Sequence, residues 1–589
     1  MAQSVPSGKP DPQEPPVDAL EAIRCHNVTV WATTICVPET AFPKGRIVMT
    51  ARAHFDDYAA FNQSPPYEDV DLFSSDVPLV QAVQANGGSG ESAALSDFGQ
   101  RWGSAEVFAL GRVANENPPK LHAFDALGFR SDTIEFHPAY HQLMRESIAA
   151  GIHASTWNES GKHAAPPSEV VRAARFYMTA QVETGHLCPI TMTRAALAAL
   201  AAAPELAGKI APKVLSRTYD ADFRPWWEKS GLTLGMGMTE RQGGTDVRAN
   251  TTKAIPVGDG YSVSGEKWFF SAPMGDAFLV LAQAPGGLTC FLMPRFRPDG
   301  SVNGLRLQRL KDKLGNRSNA SSEVEFVDAF AWRTGDEGAG IRTILQMVQL
   351  TRIDCAIASA GLMRMALAQA VHHCRYRKVF QKHLLEQPMM RAVLADMALD
   401  LEGAMALVMR VCRALDRASS DPHEAAYGRL MTPVAKYWIC KSAPAFIFEA
   451  MECLGGNGYV EESILPRHYR EAPVNAIWEG SGNVMCLDVL RALRHEEEAT
   501  CYESLSRSTA ALDGAAPALD AVNEANAPAL VGQLALMASV AELKACAPQA
   551  IAEAFARTRL GQRHGPLYGA HDLEASTVDL LLQRVLPAR

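Results

Sequence analysis

The sequence predicts a mainly α-helical protein with one small β-domain near the middle of the chain. Two observations carry this prediction. Stretches before residue 232 and after residue 336 repeat their apolar residues with helical spacing. Between them, short β-rich segments alternate with turns of Gly, Pro, Asn and Asp, which is typical of a compact barrel or sandwich. The expected order is therefore a helical domain, a β-domain and a helical bundle.

The first 231 residues divide into an extension and a helical domain. Residues 1–50 begin with a Pro-rich polar tail and show no sustained period, so we expect them to be poorly ordered. Residues 51–231 alternate loops with helical stretches, which predicts an N-terminal helical domain. The helical stretches stand at 140–152, 170–184 and 194–203.

Residues 232–335 form the predicted β-domain. The expected strands are 232–238, 260–264, 267–271, 277–283, 289–294, 305–310 and 322–326. No G-x-G-x-x-G follows a strand, and the Gly-Lys-Ser/Thr order of a phosphate loop is absent. The sequence therefore supports neither a Rossmann fold nor a nucleotide triphosphatase.

In the remaining chain the apolar residues recur with helical spacing. In residues 336–495, apolar stripes predict long helices near 353–371, 390–415 and 432–453, and several long amphipathic helices form a bundle. Residues 496–589 are expected to be an extra C-terminal helical region. From Arg494 onward the chain carries eight Lys and Arg against twelve Asp and Glu, which favours a solvated helical appendage over a nucleic-acid-binding arm.

Composition excludes several classes of protein. With 589 residues, 47% hydrophobic and 21% charged, the chain is an ordinary globular protein of several domains. A net charge of −9 gives no global attraction to nucleic acid or to acidic lipid. Twelve scattered cysteines form no zinc or disulfide pattern, so we expect no metal site. Without a signal pattern or an apolar run of membrane length, a cytoplasmic protein is expected, with no membrane partner.

One carboxylate, Glu479, is a candidate base. It lies between Trp478 and Gly480, close behind an apolar run. Desolvation by Trp478 and Ile477 would raise its pKa toward neutrality, as proton abstraction near pH 7 requires. On this stretch alone, the simpler interpretation is a helix-entry turn in which Ser481 or Asn483 caps the next helix.

Six motifs occur in an order and spacing that resemble those of the acyl-CoA dehydrogenase family. Trp478-Glu479-Gly480-Ser481 is the last of them. The other five stand at residues 238–246, 267–271, 313–318, 375–380 and 454–459. The likeness implies the fold of that family, with an N-terminal helical domain, a flavin-binding β-domain and a C-terminal helical bundle.

The resemblance also implies a cofactor, a reaction and site residues. FAD would be bound, and Glu479 would remove the α-proton of a short or branched acyl-CoA thioester while the β-hydrogen leaves to the flavin. Some branches place the base on an earlier helix directly before an Arg; here that place is Thr351, which cannot serve. The implied cofactor-binding residues are Met238, Thr239, Thr245, Trp268, Phe269, Phe270, Ser271, Arg377, Gly455, Gly456, Ile477, Ser481 and Asn483. Arg377 would meet the pyrophosphate from a neighbouring subunit, and a homotetramer is expected.

Within the family, the segments 235–252, 267–273, 313–321 and 473–491 resemble the AidB branch, the flavoproteins of the bacterial response to DNA alkylation. This likeness leaves a second function open. The alternative is a flavin-containing protein that binds double-stranded DNA and has weak or vestigial dehydrogenase activity.

Overall fold

The computed structural model describes residues 55–157, 168–509, 519–561 and 567–587. The predicted extension, residues 1–50, lies outside them. The first part of the described chain consists of helices interrupted by one β-hairpin, which had not been predicted. Its elements are α1 Phe55–Ala60, α2 Val77–Ala85, α3 Ser92–Trp102, α4 Ala105–Glu116, β1 Lys120–Phe124, β2 Arg130–Glu135, α5 Pro138–Ala149, α6 Glu169–Ala180, α7 Leu187–Leu200 and α8 Pro204–Val214.

The next segment is a seven-stranded antiparallel and parallel sheet that closes on itself. Its strands are β3 Leu234–Gly237, β4 Lys253–Val257, β5 Gly260–Ser271, β6 Ala277–Ala284, β7 Gly287–Pro294, β8 Leu305–Leu310 and β9 Ser321–Thr334. The strand order is β3-β6-β4-β5-β9-β7, with β8 beside β9, and an additional β6–β7 pairing closes the path into a barrel. This fits the predicted β-domain of barrel or sandwich form.

Two details of the strand prediction were wrong. Residues 260–264 and 267–271 belong to one continuous strand, β5. Its pairing with β9 shifts register at two irregularities, but the strand does not end at either of them. Gly265, which reads as a turn in sequence, has a φ of 151° inside the strand. Strand β4 was missed, since Pro256 and the exposed Ile255 and Val257 break the usual alternation.

A bundle of long helices follows, as predicted. It contains α9 Gly340–Tyr376, the small hairpin β10 Lys378–Val379 with β11 Lys382–His383, α10 Pro388–Arg417, α11 Pro422–Leu454, α12 Gly456–Tyr459, α13 Ile464–Asn475 and α14 Gly482–Ala492. The main hydrophobic core joins this bundle to the N-terminal helices. A second core lies between α7, the barrel and the start of α9.

The C-terminal region is part of the bundle and not a solvated appendage, which corrects the expectation from charge. Its helices are α15 Glu496–Thr509, α16 Ala527–Cys546, α17 Gln549–Phe555 and α18 Ala575–Val585, with a π-helical turn at Ala556–Leu560. Leu534, Phe555 and Leu581 are fully buried in the main core. A count of charges missed these apolar faces because the acidic residues lie on the opposite, solvated sides.

Helix α16 is long and apolar enough to span a membrane, although no membrane-length apolar run had been expected. Its mean hydropathy of 1.4 over 18 residues satisfies the length and composition of a membrane span. Half of that window is buried inside the fold. Leu530, Val531 and Leu534 belong to the main core, so α16 is accounted for as a core helix.

Candidate active site

Glu479 lies in the loop of residues 476–481 that joins α13 to α14. Its φ is 58°, and that of Gly480 is 101°, so two consecutive residues adopt left-handed backbone conformations. For a residue other than glycine this region is uncommon and costs about 1–3 kcal/mol, so it persists only where surrounding contacts hold it. The turn carries the Glu479 side chain toward α9.

Side chains from two other helices hold this loop. Thr351 Oγ1 donates a 2.7 Å hydrogen bond to Oε2 of Glu479, and Arg352 Nε donates to the backbone oxygen of Glu479 at 3.0 Å. Lys436 Nζ, from α11, donates to the backbone oxygen of Gly480 at 2.8 Å. The position of the carboxylate is therefore determined by α9 and α11.

Burial raises the pKa of the Glu479 carboxyl group above its ordinary value. The hydrogen bond from Thr351 and the positive charges of Lys436 and Arg352 oppose this shift. The expected direction is confirmed, but one expected cause is wrong, because the Ile477 side chain is 66% exposed and cannot desolvate a neighbour. Trp478 is partly buried against the second core and donates from Nε1 to Asn475 Oδ1 at 3.1 Å.

The motifs predicted to contact the flavin on the barrel meet at one place. The backbone N–H of Trp268 donates to the backbone oxygen of Thr239 at 2.9 Å. Beside this contact, Lys267 Nζ donates to Oε1 of Glu240 at 2.8 Å, and both side chains are fully buried. This ion pair, which was not predicted, fixes the end of β3 against β5. The backbone oxygen of Met238 accepts from Asn250 Nδ2 at 2.9 Å.

The four residues 268–271 have different environments. Trp268 lies beneath Lys311, whose Nζ is 3.7 Å from the ring centroid. Phe269 is 60% exposed with a φ of 54° at the irregularity in β5. Phe270 points into the barrel, where its ring centroid lies 4.5 Å from that of Phe278, so its side chain is a core residue. Ser271 Oγ lies 3.3 Å from Ser321 Oγ.

Cys188 of α7 connects the barrel to Glu479. Burial raises the pKa of its thiol to about 11, while a hydrogen bond with Ser271 acts in the opposite direction. The charge of Glu479 also acts on this thiol. Ser271, at the end of the predicted flavin strand β5, and the candidate base thus act in opposite directions on the pKa of this buried thiol.

Two glycines next to the bundle form an open cradle. Gly455 has a φ of 61° and a ψ of −139°, and a methyl group added at Gly455 or Gly456 would meet no atom within 4 Å. Ser481 begins α14 as its N-cap, but its side chain makes no capping hydrogen bond. Thr245, Ser481 and Asn483 are exposed. Glycine backbone with free space in front and uncommitted hydroxyl groups fit the approach of a bulky cofactor.

Arg377 lies far from Glu479 but near the Gly455–Gly456 turn, since it bonds to Asn62 while Asn457 Nδ2 donates to Oε1 of the adjacent Gln63 at 3.1 Å. It follows the last residue of α9, and its Nη1 donates to the backbone oxygen of Asn62 at 2.7 Å. Twenty-six residues of chain, nearly all helix, separate it from Thr351, so it lies about 39 Å along α9 from the contact with Glu479. Within one chain it does not share a site with Glu479.

Five contributors to the site were not given these roles from sequence. Lys436 belongs to no motif, and Glu240 and Lys267 were quoted in motifs without a role. Thr351 and Arg352 had been considered only as the place of another base. Their contacts join positions 27 to 128 residues apart in the chain, and such pairings leave no local pattern.

Comparisons with known proteins agree with this architecture. Residues 62–221 match the family of the adaptive response protein AidB N-terminal domain, residues 235–329 the acyl-CoA dehydrogenase middle domain, and residues 338–494 the acyl-CoA dehydrogenase C-terminal domain. The AidB protein of Escherichia coli (strain K12) is 51% identical over 463 residues, which cover 78% of this chain and 84% of the relative.

A second relative, acyl-CoA dehydrogenase family member 11 of Caenorhabditis elegans, is 34% identical over 69% of this chain and 67% of its own length. The crystal structure of C. elegans ACDH-11 in complex with C11-CoA superposes with a TM-score of 0.75 at 26% identity, covering 90% of this chain and 97% of that one. The apo form of Bd2924 gives a TM-score of 0.74 at 26% identity, covering 82% and 99%. The chain therefore belongs to the acyl-CoA dehydrogenase family, in its AidB branch.

Proposed function

We propose that this protein is an FAD-dependent acyl-CoA dehydrogenase of AidB type in which Glu479 removes the α-proton of an acyl thioester. The observation that carries the proposal is the carboxylate of Glu479 itself. Side chains of α9 and α11 hold its loop, and burial raises its pKa. A base with a raised pKa matches proton abstraction near neutral pH.

Different residues of this chain have different roles in the proposed reaction. Thr351 fixes one oxygen of the Glu479 carboxylate, so the other oxygen is available to receive a proton. Trp478 and the second core exclude water from one side of the base. FAD, when bound, supplies the two-electron oxidation. Thr239, Trp268 and Ser271 would hold its ring system against the barrel, and Gly455, Gly456 and Ser481 would hold the remainder.

Arg377 and the oligomeric state follow from the same reasoning. A permanently charged, planar guanidinium is suited to a pyrophosphate group. Because Arg377 lies about 39 Å along α9 from the Glu479 contact, it would serve the FAD of another subunit. This supports the expected homotetramer, which light scattering coupled to size exclusion would test. Loss of FAD from Arg377→Ala with the assembly unchanged would be the expected result.

The substrate class is an acyl-CoA thioester. The complex of C. elegans ACDH-11 with C11-CoA supports this choice and shows that the panel of substrates must extend beyond short chains. The test is an anaerobic titration of the purified flavoprotein with straight and branched acyl-CoAs of increasing length. We expect rapid bleaching of the flavin absorbance by at least one of them.

The control for this experiment is Glu479→Gln, which keeps the shape of the side chain and removes the base. It should retain FAD and lose thioester-dependent bleaching. Unchanged bleaching in this variant would remove Glu479 from the mechanism. No bleaching of the native protein by any thioester would refute the dehydrogenase proposal.

Binding of double-stranded DNA is the second candidate function, and membership of the AidB branch is what favours it. Two of the C-terminal cations, Arg559 and Arg584, are not available for it, because they are buried in ion pairs with α10. Exposed Lys378 and Lys382 on the β10–β11 hairpin are the better candidates. Duplex binding that weakens steeply with salt and is reduced in a Lys378→Ala, Lys382→Ala variant would support this function.

A further inference from the structure

We infer that Lys436 is a positioning residue that holds the Glu479 loop in place and acts as the counter-ion of the Glu479 carboxylate. The inference rests on the proposed function, since it assigns what sets the ionisation of the proposed base.

Lys436 lies in the middle of α11 and is 1% exposed. Its ammonium group donates to the backbone oxygen of Gly480 at 2.8 Å. A carbonyl oxygen is neutral, and a buried ammonium group needs a compensating negative charge. Charge interactions connect Lys436 to the carboxyl group of Glu479 and to the thiols of Cys355 and Cys440.

The two thiols cannot supply that charge. Burial raises the pKa of both Cys355 and Cys440, so both are protonated and neutral at pH 7. Cys188 of α7, on which the charge of Glu479 also acts, is neutral for the same reason, with its pKa raised to about 11. Glu479 is therefore the acid whose ionised form balances Lys436.

The remaining charged groups around Glu479 are already paired with one another. Arg352 Nη1 lies 2.8 Å from Oδ2 of Asp488 on α14, and Arg429 Nη2 lies 2.9 Å from Oδ1 of the same carboxylate. The charge of Arg352 is thus shared with Asp488, whereas the charge of Lys436 lowers the pKa of Glu479 from beside the neighbouring Gly480 carbonyl. Of the two cations that act on Glu479, Lys436 should therefore compensate the charge of the ionised base more than Arg352 does.

The backbone gives Lys436 its second role. Glu479 and Gly480 both have positive φ, and each carbonyl oxygen of this pair receives one cationic donor. Arg352 binds the oxygen of Glu479 and Lys436 that of Gly480, from two different helices. Successive carbonyl groups held in this way cannot rotate independently, so the carboxylate keeps one direction.

The experiment follows the protonation of Glu479 directly. Infrared spectra of the FAD-loaded protein are recorded against pH, and those of Glu479→Gln are subtracted, which isolates the carboxyl band of Glu479. Lys436→Gln keeps a donor to Gly480 but removes the charge. We expect its titration midpoint to lie about one to three pH units above that of the native protein.

Two further variants complete the design. Lys436→Arg restores the charge and should return the midpoint to within about half a pH unit of the native value. Lys441→Met removes an exposed charge from the same helix and should leave the midpoint unchanged. If Lys436→Gln does not fold, Lys436→Met gives the same measurement with an apolar side chain of similar length.

An unchanged midpoint in a folded, charge-removed variant would overturn the inference. Because the titration uses no thioester, its result is independent of turnover. A shifted midpoint without bleaching of the native protein by any acyl-CoA would refute the proposed function and leave the inference standing. Flavin bleaching by the native protein, together with an unchanged titration midpoint in Lys436→Gln, would support the proposed function and overturn the inference.

Discussion

The hydroxyl group of Thr351 donates a 2.7 Å hydrogen bond to Oε2 of Glu479, across 128 residues of sequence. The place at which other branches of the family carry their base is here occupied by a residue that orients the base. Thr351→Val removes the donor with almost no change of shape. Since hydrogen bonds to charged groups contribute about 1.5–3 kcal/mol, the pKa of Glu479 should rise by about one unit or more.

The rise in the pKa of Glu479 should change the pH dependence of flavin reduction in a definite direction. Glu479 acts as a base only when ionised, so flavin reduction should slow as pH falls through its pKa. Thr351→Val moves that fall to higher pH, and the midpoint of the pH profile of the reduction rate should rise by about one unit in stopped-flow measurements. Thr343→Val, on the same helix with its hydroxyl bonded to a backbone oxygen, is the control and should react like the native protein.

Gly455→Ala should reduce the affinity for FAD. Its φ of 61° and ψ of −139° belong to a region used almost only by glycine, so alanine costs roughly 1–3 kcal/mol. Gly87→Ala is a matched control, since Gly87 also has a positive φ and free space in front of it. Both variants should lose stability, but FAD bound per protein should fall only in Gly455→Ala. Equal FAD content in the two would place the cofactor away from this cradle.

Arg559→Met should destabilise the whole bundle. Arg559 lies 2.6 Å from Oδ1 of Asp396 and 2.8 Å from Oδ1 of Asp400, so its removal takes a buried cation away from both carboxylates. Losing one partner of a buried ion pair costs about 3–5 kcal/mol. Chemical denaturation measures the loss. The exposed neighbour Arg557 provides the comparison, because Arg557→Met should change stability by no more than about 0.5 kcal/mol.

The ionisation of Glu183 should make the free energy of unfolding depend on pH in the acidic range. Burial opposes its ionisation, yet the hydrogen bond and charge of His186 outweigh burial and lower the pKa of Glu183 to about 2. A lowered folded-state pKa stabilises the fold fully above the unfolded value near 4.5, and this stabilisation is lost as pH falls toward 2. The contribution at pH 7 is about 3 kcal/mol.

Glu183→Gln tests this directly. Its free energy of unfolding should lie about 3 kcal/mol below that of the native protein at pH 7, and the gap should narrow at pH 3.5. A gap that is constant with pH would mean that the loss comes from hydrogen bonds alone. Such bonds include the 2.8 Å bond that Glu183 accepts from Ser318, in the loop before β9.

The fold was largely predictable because its elements carry their own periods. The apolar residues of α9 and α10 recur with helical spacing over 353–371 and 390–415, lengths that a strand does not reach. Strand β5 was divided in two because Gly265 has the composition of a turn, and only the pairing with β9 shows that the strand continues. Helix α16 was expected to be exposed for a comparable reason, since its partner α10 lies more than a hundred residues earlier.

Residues of the site could be predicted from sequence where they belong to a recognised motif. Glu479 and Trp268 were found through motifs, whereas Phe270 was included with its neighbours although its side chain belongs to the barrel core. Lys436 has no neighbours that distinguish it from any lysine of an amphipathic helix. Its importance comes from the distance to Gly480 alone, and that distance exists only after α11 and α14 have packed.

The left-handed turn at Glu479 has a consequence for engineering this protein. The described contacts to the Glu479 carboxylate and to the two carbonyl oxygens beside it come from α9 and α11. The direction of the base therefore depends on the spacing between these two helices. Ser359 and Cys440 contact each other across the same helix pair, with 3.3 Å between Oγ and Sγ. Substitutions at such interface positions would adjust the base without touching any ligand, so a search for altered substrate selectivity should include them.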